Sequence, residues 1–344
     1  MVYTFGLAKW INSRYRDSMN RLCRYELLAM LHALSIDCDV KIETLGGLDF
    51  LVFECRPLEP HELSWLSGHS AVVFTSENSG GLLQPLSVAS DSEQFSDLPE
   101  ILKYKGKTST SFTRMMINMA VSLLPSPFST RMMLLDPICG KGTGCFCALQ
   151  AGMDAAGLDI DHKAVKEASD FFSRYLRMNL LKHSVKGYSE TFGKSSVPVT
   201  EFTFADTMDK YLHGETRSLR FASGDTAAVF ALCRRRPVHI LIADFPYGVQ
   251  HAPRSGSRPE SFQALLRRAL PEWKKSMVPG GVAALSFNTF TFPRKDVLDI
   301  VISSGMIPCE DEWFSNLRHE VEQAVVRDVV FMINPPDKGG KLNS

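Results

Sequence analysis

Residues 132–146, MMLLDPICGKGTGCF, decide the fold of this chain. An apolar run that predicts a buried strand ends at Asp136 and passes into a turn with Gly140, Gly142 and Gly144. A stretch compatible with a helix follows. Because glycine has no Cβ, the backbone of such a turn can pass close to a ligand. The sequence therefore predicts a ligand-binding turn between a strand and a helix.

Two common nucleotide-binding turns do not fit this stretch. A GxGxxG turn would need a third glycine at position 145, where Cys145 stands, and a P-loop ends in Gly-Lys followed by Ser or Thr. Here Lys141 is followed by Gly142. A carboxylate just before the glycines instead suits a cofactor with an amino-acid head. Asp136 can face its ammonium group while the glycine backbone leaves room for the rest.

The composition is that of an ordinary globular protein. The chain has 344 residues, more than one typical domain, and 44% of them are apolar. Its 38 basic residues balance 38 acidic ones, so the whole-chain charge neither supports nor excludes nucleic-acid binding. No apolar stretch approaches the length of about eighteen residues that spans a bilayer, and the N-terminus lacks a secretory pattern. We expect no membrane segment.

The eight cysteines show no C-x-x-C pair. This spacing offers no structural zinc site, and we expect no metal. Cysteines without a disulfide framework are typical of a reduced compartment, so we expect a cytoplasmic protein. The oligomeric state stays open at this point.

From residue 132 onward, apolar runs alternate with amphipathic stretches. This alternation predicts an α/β fold, a parallel sheet covered by helices on both faces with ligands at the carboxyl ends of its strands. Residues 180–218 interrupt it and are interpreted as an insertion. The predicted strands are 132–136, 154–159, 219–222, 238–244, 281–287, one near 306–311 and one near 324–333. The predicted helices are 143–151, 162–179, 225–233, 259–277 and 294–304.

Three parts are predicted along the chain. Residues 1–100, with a helix at 23–34 and strands at 40–45 and 50–55, form a smaller α+β domain with a possible RNA-binding or accessory role. Residues 104–335 form the catalytic domain, and 336–344 a disordered tail. The polar, acidic stretch 87–99 is typical of a linker or surface loop.

The second predicted strand of this domain ends in the acidic sequence GLDID, residues 157–161. It lies about twenty residues past the glycine turn, where a carboxylate can accept hydrogen bonds from both ribose hydroxyls of a cofactor. We assign this role to Asp159 and helix capping to Asp161. Alternatively, both acids are turn and cap residues. Asp225 follows the next strand and is a candidate for cap and ligand contact alike.

A second motif, HILIADFPYGVQH at 239–251, has an apolar run that ends abruptly in Asp244, Phe245, Pro246 and Tyr247. The nitrogen of an exocyclic amine on an aromatic ring is a poor nucleophile, because its lone pair is delocalised. The Asp244 carboxylate and the Phe245 carbonyl could hold its hydrogens, and Tyr247 could stack on the ring. Such chemistry needs no strong general base, so His251 and His319 receive no role. The tetrapeptide could also be a simple strand-to-loop turn.

Several motifs together, DPICGKGTG, GLDID, SGDT, DFPYG, VPGGVAALSFN and HEVEQAVVRDVVF, resemble the RNA methylase family that includes THUMP-containing tRNA guanine-N2 methyltransferases. The resemblance covers about residues 104–334. It implies a Rossmann-like, seven-stranded class I methyltransferase sheet, S-adenosylmethionine as cofactor, and RNA, with tRNA preferred, as partner. It implies cofactor contacts at Asp136, Pro137, Cys139, Gly140, Gly142, Thr143, Asp159, Ile160, Asp225 and Thr226, with Asp225 on the adenine amine. Catalysis would fall to Asp244, Phe245, Pro246 and Tyr247.

The chain departs from the family pattern in two places. Phe245 stands where the D-P-P-Y motif has its first proline, and residues 1–100 show no convincing THUMP domain. Basic residues could track an RNA backbone while Tyr247 holds the base, or they could be solvated surface. They are Lys103, Lys105, Lys107 and Arg114 before the glycine turn, and Arg254, Arg258, Arg267 and Arg268 after the second motif.

Three other functions stay open. The same mechanism could serve adenine N6 in DNA or a glutamine side chain in a protein, and the chain could instead be a non-catalytic module that binds the cofactor and RNA.

Overall fold

The computed structural model describes residues 1–9, 15–88, 95–104, 107–127, 131–193, 195–233, 236–245, 254–255, 258–322 and 325–336. Two sheets organise them, a five-stranded antiparallel sheet near the N-terminus and a ten-stranded mixed sheet after it. Among the helices described, none combines the length and the hydropathy needed to cross a bilayer.

The N-terminal part is built on the five-stranded sheet. Its elements are β1 (Val2–Leu7), α1 (Arg16–Ala33), β2 (Val40–Leu45), β3 (Leu48–Glu54), α2 (Pro60–Ser67), β4 (Val72–Ser79), β5 (Leu82–Pro85) and α3 (Leu98–Ile101). The strands lie in the order β2-β3-β1-β4-β5. The two strands predicted here are β2 and β3. The central strand β1 has an almost wholly buried run without polar alternation, which explains why periodicity did not indicate it.

The second part carries the alternation predicted from residue 132 onward, and each predicted strand and helix has a counterpart. Its elements are α4 (Thr110–Ser122), β6 (Met133–Asp136), α5 (Thr143–Gln150), β7 (Asp154–Asp159), α6 (His162–Met178), β8 (His183–Phe192), β9 (Ser195–Phe204), α7 (Met208–Leu212), β10 (Arg217–Ser223), α8 (Val229–Cys233), β11 (Val238–Asp244), β12 (Arg254–Ser255), β13 (Arg258–Pro259), α9 (Phe262–Ser276), β14 (Met277–Asn288), α10 (Arg294–Ser303), β15 (Ile307–Pro308), α11 (Glu312–Ser315), β16 (His319–Glu322) and β17 (Val325–Ile333).

The large sheet has the order β8-β9-β10-β7-β6-β11-β14-β17-β15, and β16 pairs with β17. Strands β10, β7, β6, β11 and β14 run parallel, whereas β17 is antiparallel to β14. In the sheet β6 lies between β7 and β11: the chain passes from β6 to β7 on one side of β6, and later returns to pair β11 with its other side. The carboxyl end of β6 is therefore the topological switch point, where ligands bind in open α/β sheets.

The sheet has ten strands rather than the predicted seven. The insertion forms the hairpin β8–β9, which pairs with the edge strand β10, and β16 adds a strand beside β17. Most residues of β8 are exposed on both faces, so the strand lacks the apolar alternation by which a strand is recognised.

Alternating residues of the parallel strands feed two apolar layers. Leu134 and Ile240 belong to the layer under α4, α5 and α6, whereas Leu135 and Leu241 belong to the layer under α8, α9 and α10. Such strands, covered on both faces, explain the continuous apolar runs of the sequence.

Helix α1 joins the N-terminal part to this second part. Its side chains Leu22 and Tyr25 belong to the apolar layer under α4. The fully buried carboxylate of Glu26 accepts hydrogen bonds from Ser70 N–H at 2.8 Å and from Asn118 Nδ2 of α4 at 2.7 Å. Because both parts share this packing, the division near residue 100 stays a prediction. Most of the predicted tail, residues 337–344, lies outside the described residues.

Candidate functional site at the switch point

The glycine turn after β6 is held by its own backbone. Gly140 and Gly142 have φ angles of 50° and 85°, in the left-handed region that favours glycine. Gly142 N–H donates to Cys139 O at 2.7 Å, and Cys139 N–H donates to Leu158 O of β7 at 3.0 Å. The turn is thereby fixed to the neighbouring strand and leads directly into α5.

Asp136 is buried beneath this turn, with 7% of its surface exposed. Its Oδ1 accepts from Ile138 N–H at 3.3 Å. Gly144 lies against the other oxygen, because a Cβ built on Gly144 would be 2.3 Å from Oδ2. Burial raises the pKa of Asp136 to about 8, and the negative charges of Asp159 and Asp244 add to that shift.

Three carboxylates therefore meet at the carboxyl ends of β6, β7 and β11. Leu135 is paired with Leu241, so Asp244 lies two residues further along its strand than Asp136 does, about 7 Å beyond it. A cation placed among negative charges is stabilised by each of them. The arrangement favours a positively charged ligand in the crevice.

Asp159 anchors the loops at the end of β7. Its Oδ2 accepts from Gly140 N–H and its Oδ1 from Asp161 N–H, both at 2.8 Å. Each carboxylate oxygen has a second lone pair, so the proposed ribose contact is compatible with these bonds but stays a prediction. Asp161 accepts from Lys163 N–H at 2.9 Å and Ala164 N–H at 3.2 Å, which confirms it as the N-cap of α6.

Asp225 is a cap in this structure. Its Oδ1 accepts from Ala227 N–H at 2.9 Å and pairs with the Arg268 guanidinium at 2.5 Å. An adenine contact would fall to Oδ2 and stays a prediction. Arg268 also pairs with Glu260 at 3.0 Å. The Arg268 side chain, which was predicted to contact RNA, is therefore engaged in two ion pairs within the chain.

The other predicted cofactor residues surround the same turn. Thr226 is buried, and its hydroxyl donates to Pro137 O at 2.7 Å while accepting from Trp273 Nε1 at 3.1 Å. The Cys139 side chain points inward and meets Gly157, where a Cβ would lie 2.9 Å from its sulfur. Ile160 is 41% exposed beside Asp159. Their contacts to a cofactor stay predictions.

The second motif begins at the end of β11. Thr108 Oγ1 donates to the partly buried Asp244 carboxylate. Phe245 is buried, packs on Trp273, and donates its N–H to Ser286 O of β14 at 2.9 Å. Proline has no N–H and could not make this bond, which gives the departure from D-P-P-Y a structural reason. Pro246 and Tyr247 lie outside the described residues.

Sequence reasoning missed two residues of the segment before α4. Thr108 contacts Asp244, and the Tyr104 hydroxyl lies 2.9 Å from Thr143 Oγ1 at the start of α5. Burial raises the pKa of Tyr104, and the negative charges of Asp136 and Asp244 add to it. The aromatic and hydroxyl residues of YKGKTSTSFTR were the available signal, but local spacing does not say that this segment crosses the switch point.

The predicted RNA-contacting residues have partners within the chain. Lys107 Nζ donates to Pro99 O, and Arg114 Nη2 donates to Gly68 O at 3.0 Å. Lys105 lies outside the described residues. A role of Lys107 and Arg114 in substrate binding stays a prediction.

The strand order and directions of the large sheet identify its fold. Seven strands in the order β10-β7-β6-β11-β14-β17-β15, with β17 reversed, have the arrangement of class I S-adenosylmethionine-dependent methyltransferases. The predicted α/β methyltransferase fold is confirmed, whereas the sheet has ten strands instead of seven because of the hairpin β8–β9 and β16.

No protein-family profile matches the sequence, and a search of curated proteins finds no match. Among solved structures, TrmN from Thermus thermophilus is 15% identical, with 88% of this chain and 64% of that chain covered and a TM-score of 0.39. A TehB-like SAM-dependent methyltransferase from Corynebacterium glutamicum is 16% identical, with 60% of this chain and 83% of that chain covered and a TM-score of 0.34. An rRNA methylase from Streptococcus thermophilus is 12% identical, with 64% of this chain and 97% of that chain covered and a TM-score of 0.34. These likenesses are too distant to assign a function.

Proposed function

We propose that this chain is an S-adenosylmethionine-dependent methyltransferase that methylates an exocyclic base amine in RNA, with guanine N2 of tRNA preferred. One observation carries the proposal: the glycine turn above Asp136 and the acceptor motif that begins at Asp244 meet at one switch point. A donor held by the first would face a nucleophile held by the second.

The residues at the turn fit the proposed cofactor. Its amino-acid head carries an ammonium group, which the buried Asp136 carboxylate would pair with. Asp159 and Ile160, at the end of β7, would hold the ribose and adjoin the adenine. When bound, the cofactor supplies a methyl group on a positively charged sulfur. The three carboxylates would stabilise that charge in the crevice.

Asp244 would act on the acceptor nitrogen. Its carboxylate and the Phe245 carbonyl would accept hydrogen bonds from the amine, which favours a lone pair directed at the methyl carbon. Asp244 and Phe245 would hold the nitrogen in line with the methyl group that the cofactor supplies, and the leaving sulfur would keep the electron pair of its bond to carbon. The nitrogen then carries a positive charge and loses a proton to solvent. Thr108 would keep the Asp244 carboxylate in place through its hydroxyl.

Cofactor affinity is expected to depend on the protonation of Asp136. Below about pH 8 the free protein holds the proton, whereas an ammonium group favours the carboxylate, so binding must release that proton. Affinity for S-adenosylhomocysteine should rise up to about tenfold per pH unit toward pH 8 and then level off. Calorimetry in buffers of different ionisation enthalpy would detect the proton released. Asp136→Asn should bind weakly with a flat profile, whereas an equal pH dependence in that variant would contradict the assignment.

The acids Asp159 and Asp161, at and just after the end of β7, are expected to have different functions. Asp161→Ala should lower the free energy of unfolding by about 1 kcal/mol, because the cap of α6 is lost, with little change in cofactor affinity. Asp159→Ala should weaken S-adenosylhomocysteine binding by tenfold or more. Urea unfolding and calorimetry on the same preparations measure both effects. The reverse pattern would assign the cofactor contact to Asp161.

The function itself is tested by methyl transfer. The purified protein, labelled S-adenosylmethionine and RNA from cells that lack this protein should give labelled N2-methylguanosine on digestion, identified by mass. Labelled N6-methyladenine in DNA, or labelled glutamine in protein, would move the proposal to those substrates. Absence of label in all three polymers would favour a non-catalytic module.

A further inference from the structure

A cavity of about 630 Å³ lies between the N-terminal end of α1 and the strand pair β16–β17. It is separate from the glycine turn and takes residues from both ends of the chain. The lining residues are Tyr15, Asp17, Ser18, Arg21, Arg318, His319, Glu320 and Val326.

The cavity lies on the acceptor side of the site. From β11, with Asp244 at its end, the sheet continues through β14 and β17 to β16, a lateral distance of about 14 Å for three strand spacings. The His319 ring lies 5.3 Å from the Phe112 ring, in the first turn of α4. The segment that leads into this helix carries Thr108, which contacts Asp244. An extended polymeric substrate whose target group lies at Asp244 would therefore reach the cavity within a few monomers.

Two arginines give the cavity its cationic side. Arg21 Nη2 donates to Arg318 O at 2.6 Å, which places the Arg21 guanidinium at β16. Its buried Nε has no hydrogen-bond partner among the described residues. The Arg318 side chain, which also lines the cavity, is exposed. Together they offer donors suited to a phosphate group.

The remaining groups suit a base rather than a bare anion. His319 Nδ1 lies 2.9 Å from Leu317 O and must donate to it, so Nε2 is an acceptor. Burial lowers the pKa of His319 to about 4, so the ring is neutral near pH 7. The Asp17 carboxylate would repel a free phosphate but can accept from base N–H groups. Tyr15 adds an aromatic ring for stacking.

We propose that this cavity binds an RNA nucleotide close to the methylated one, with its phosphate on Arg318 and Arg21 and its base against Tyr15 and His319. The inference rests on the proposed function, because RNA is the polymer assigned there. A lining with both charge signs and an aromatic ring matches a nucleotide, which combines an anionic phosphate with N–H donors and a ring face. In this arrangement α1 takes part in RNA recognition, and the buried Glu26 contact to α4 sets its position.

The test is RNA binding, which does not depend on turnover. A short fluorescein-labelled RNA of random sequence is titrated with full-length protein saturated with S-adenosylhomocysteine, and anisotropy is followed at several salt concentrations. Arg318→Glu should weaken binding by about tenfold or more and reduce the salt dependence. Tyr15→Ala should weaken it by a similar factor with the salt dependence unchanged, because stacking is not ionic. The matched control Arg174→Glu makes the same charge change at an exposed position on α6 and should stay within about twofold.

The outcomes separate the two proposals. Wild-type affinity in Arg318→Glu, an equal loss in the α6 control, or no RNA binding by the wild-type protein would overturn the nucleotide site, whatever the methylation assay shows. RNA binding that depends on Arg318, without methyl transfer to RNA, would support the site and reject the proposed function. Unchanged calorimetric affinity for S-adenosylhomocysteine in each variant would show that the switch point is intact.

Discussion

Asp244→Ala is expected to lower the rate of methyl transfer by about 10³-fold while cofactor affinity changes little. In the proposed mechanism the Asp244 carboxylate would accept hydrogen bonds from the substrate amine, on whose nitrogen positive charge develops. Loss of one such group from a preorganised site costs about 10²–10³ in rate. Loss of the charge adds to that effect. A single-turnover assay with labelled donor and RNA, together with calorimetry of S-adenosylhomocysteine binding, measures the two quantities separately.

Three comparisons make this result specific to Asp244. Asp244→Asn keeps an acceptor oxygen and should retain more activity than the alanine variant. Thr108→Val removes the hydroxyl that donates to Asp244 but keeps the carboxylate, so we expect a loss of about tenfold or less. Asp170→Ala removes an exposed carboxylate on α6 and should have no effect. Transfer at the wild-type rate in Asp244→Ala would reject the role of this residue.

Gly144→Ala is expected to lower the free energy of unfolding by about 3 kcal/mol and to weaken cofactor binding by roughly 10²-fold. The added Cβ would lie 2.3 Å from Asp136 Oδ2, and a buried carboxylate at the end of a central strand has little room to move. Displacing it also disturbs the group that we propose for the cofactor ammonium. Urea unfolding and calorimetry with S-adenosylhomocysteine check both effects.

A double variant shows whether the collision is the cause. In an Asp136→Ala background the obstructing carboxylate is gone, so adding Gly144→Ala should cost much less stability than it does alone. The matched control is Gly187→Ala on β8, where a Cβ meets no atom within 4 Å and stability should be unchanged. Additive losses in the double variant would show that the effect of Gly144→Ala arises elsewhere in the turn.

The elements of the second part were predictable because their signals are local. The strand before Asp136, the cap at Asp161 and the strand that ends at Asp244 follow from apolar runs, turn residues and capping side chains that are contiguous in sequence. Strand β8 was not predicted, because a largely exposed edge strand has no periodic apolar pattern. Strand β1 was missed for the opposite reason, since its residues are nearly all buried.

By itself the sequence determined the alternation of strands and helices from residue 132 onward, apart from residues 180–218, together with the glycine turn and the acidic residues at strand ends. These features depend on backbone and side-chain preferences within a few residues of one another. Only the tertiary structure decided that Asp136, Asp159 and Asp244 share one crevice, that Tyr104 and Thr108 lie beside them, and that α1 completes a cavity with β16. Those contacts arise from strand pairing and helix packing between segments far apart in the chain, and no local pattern specifies such pairings.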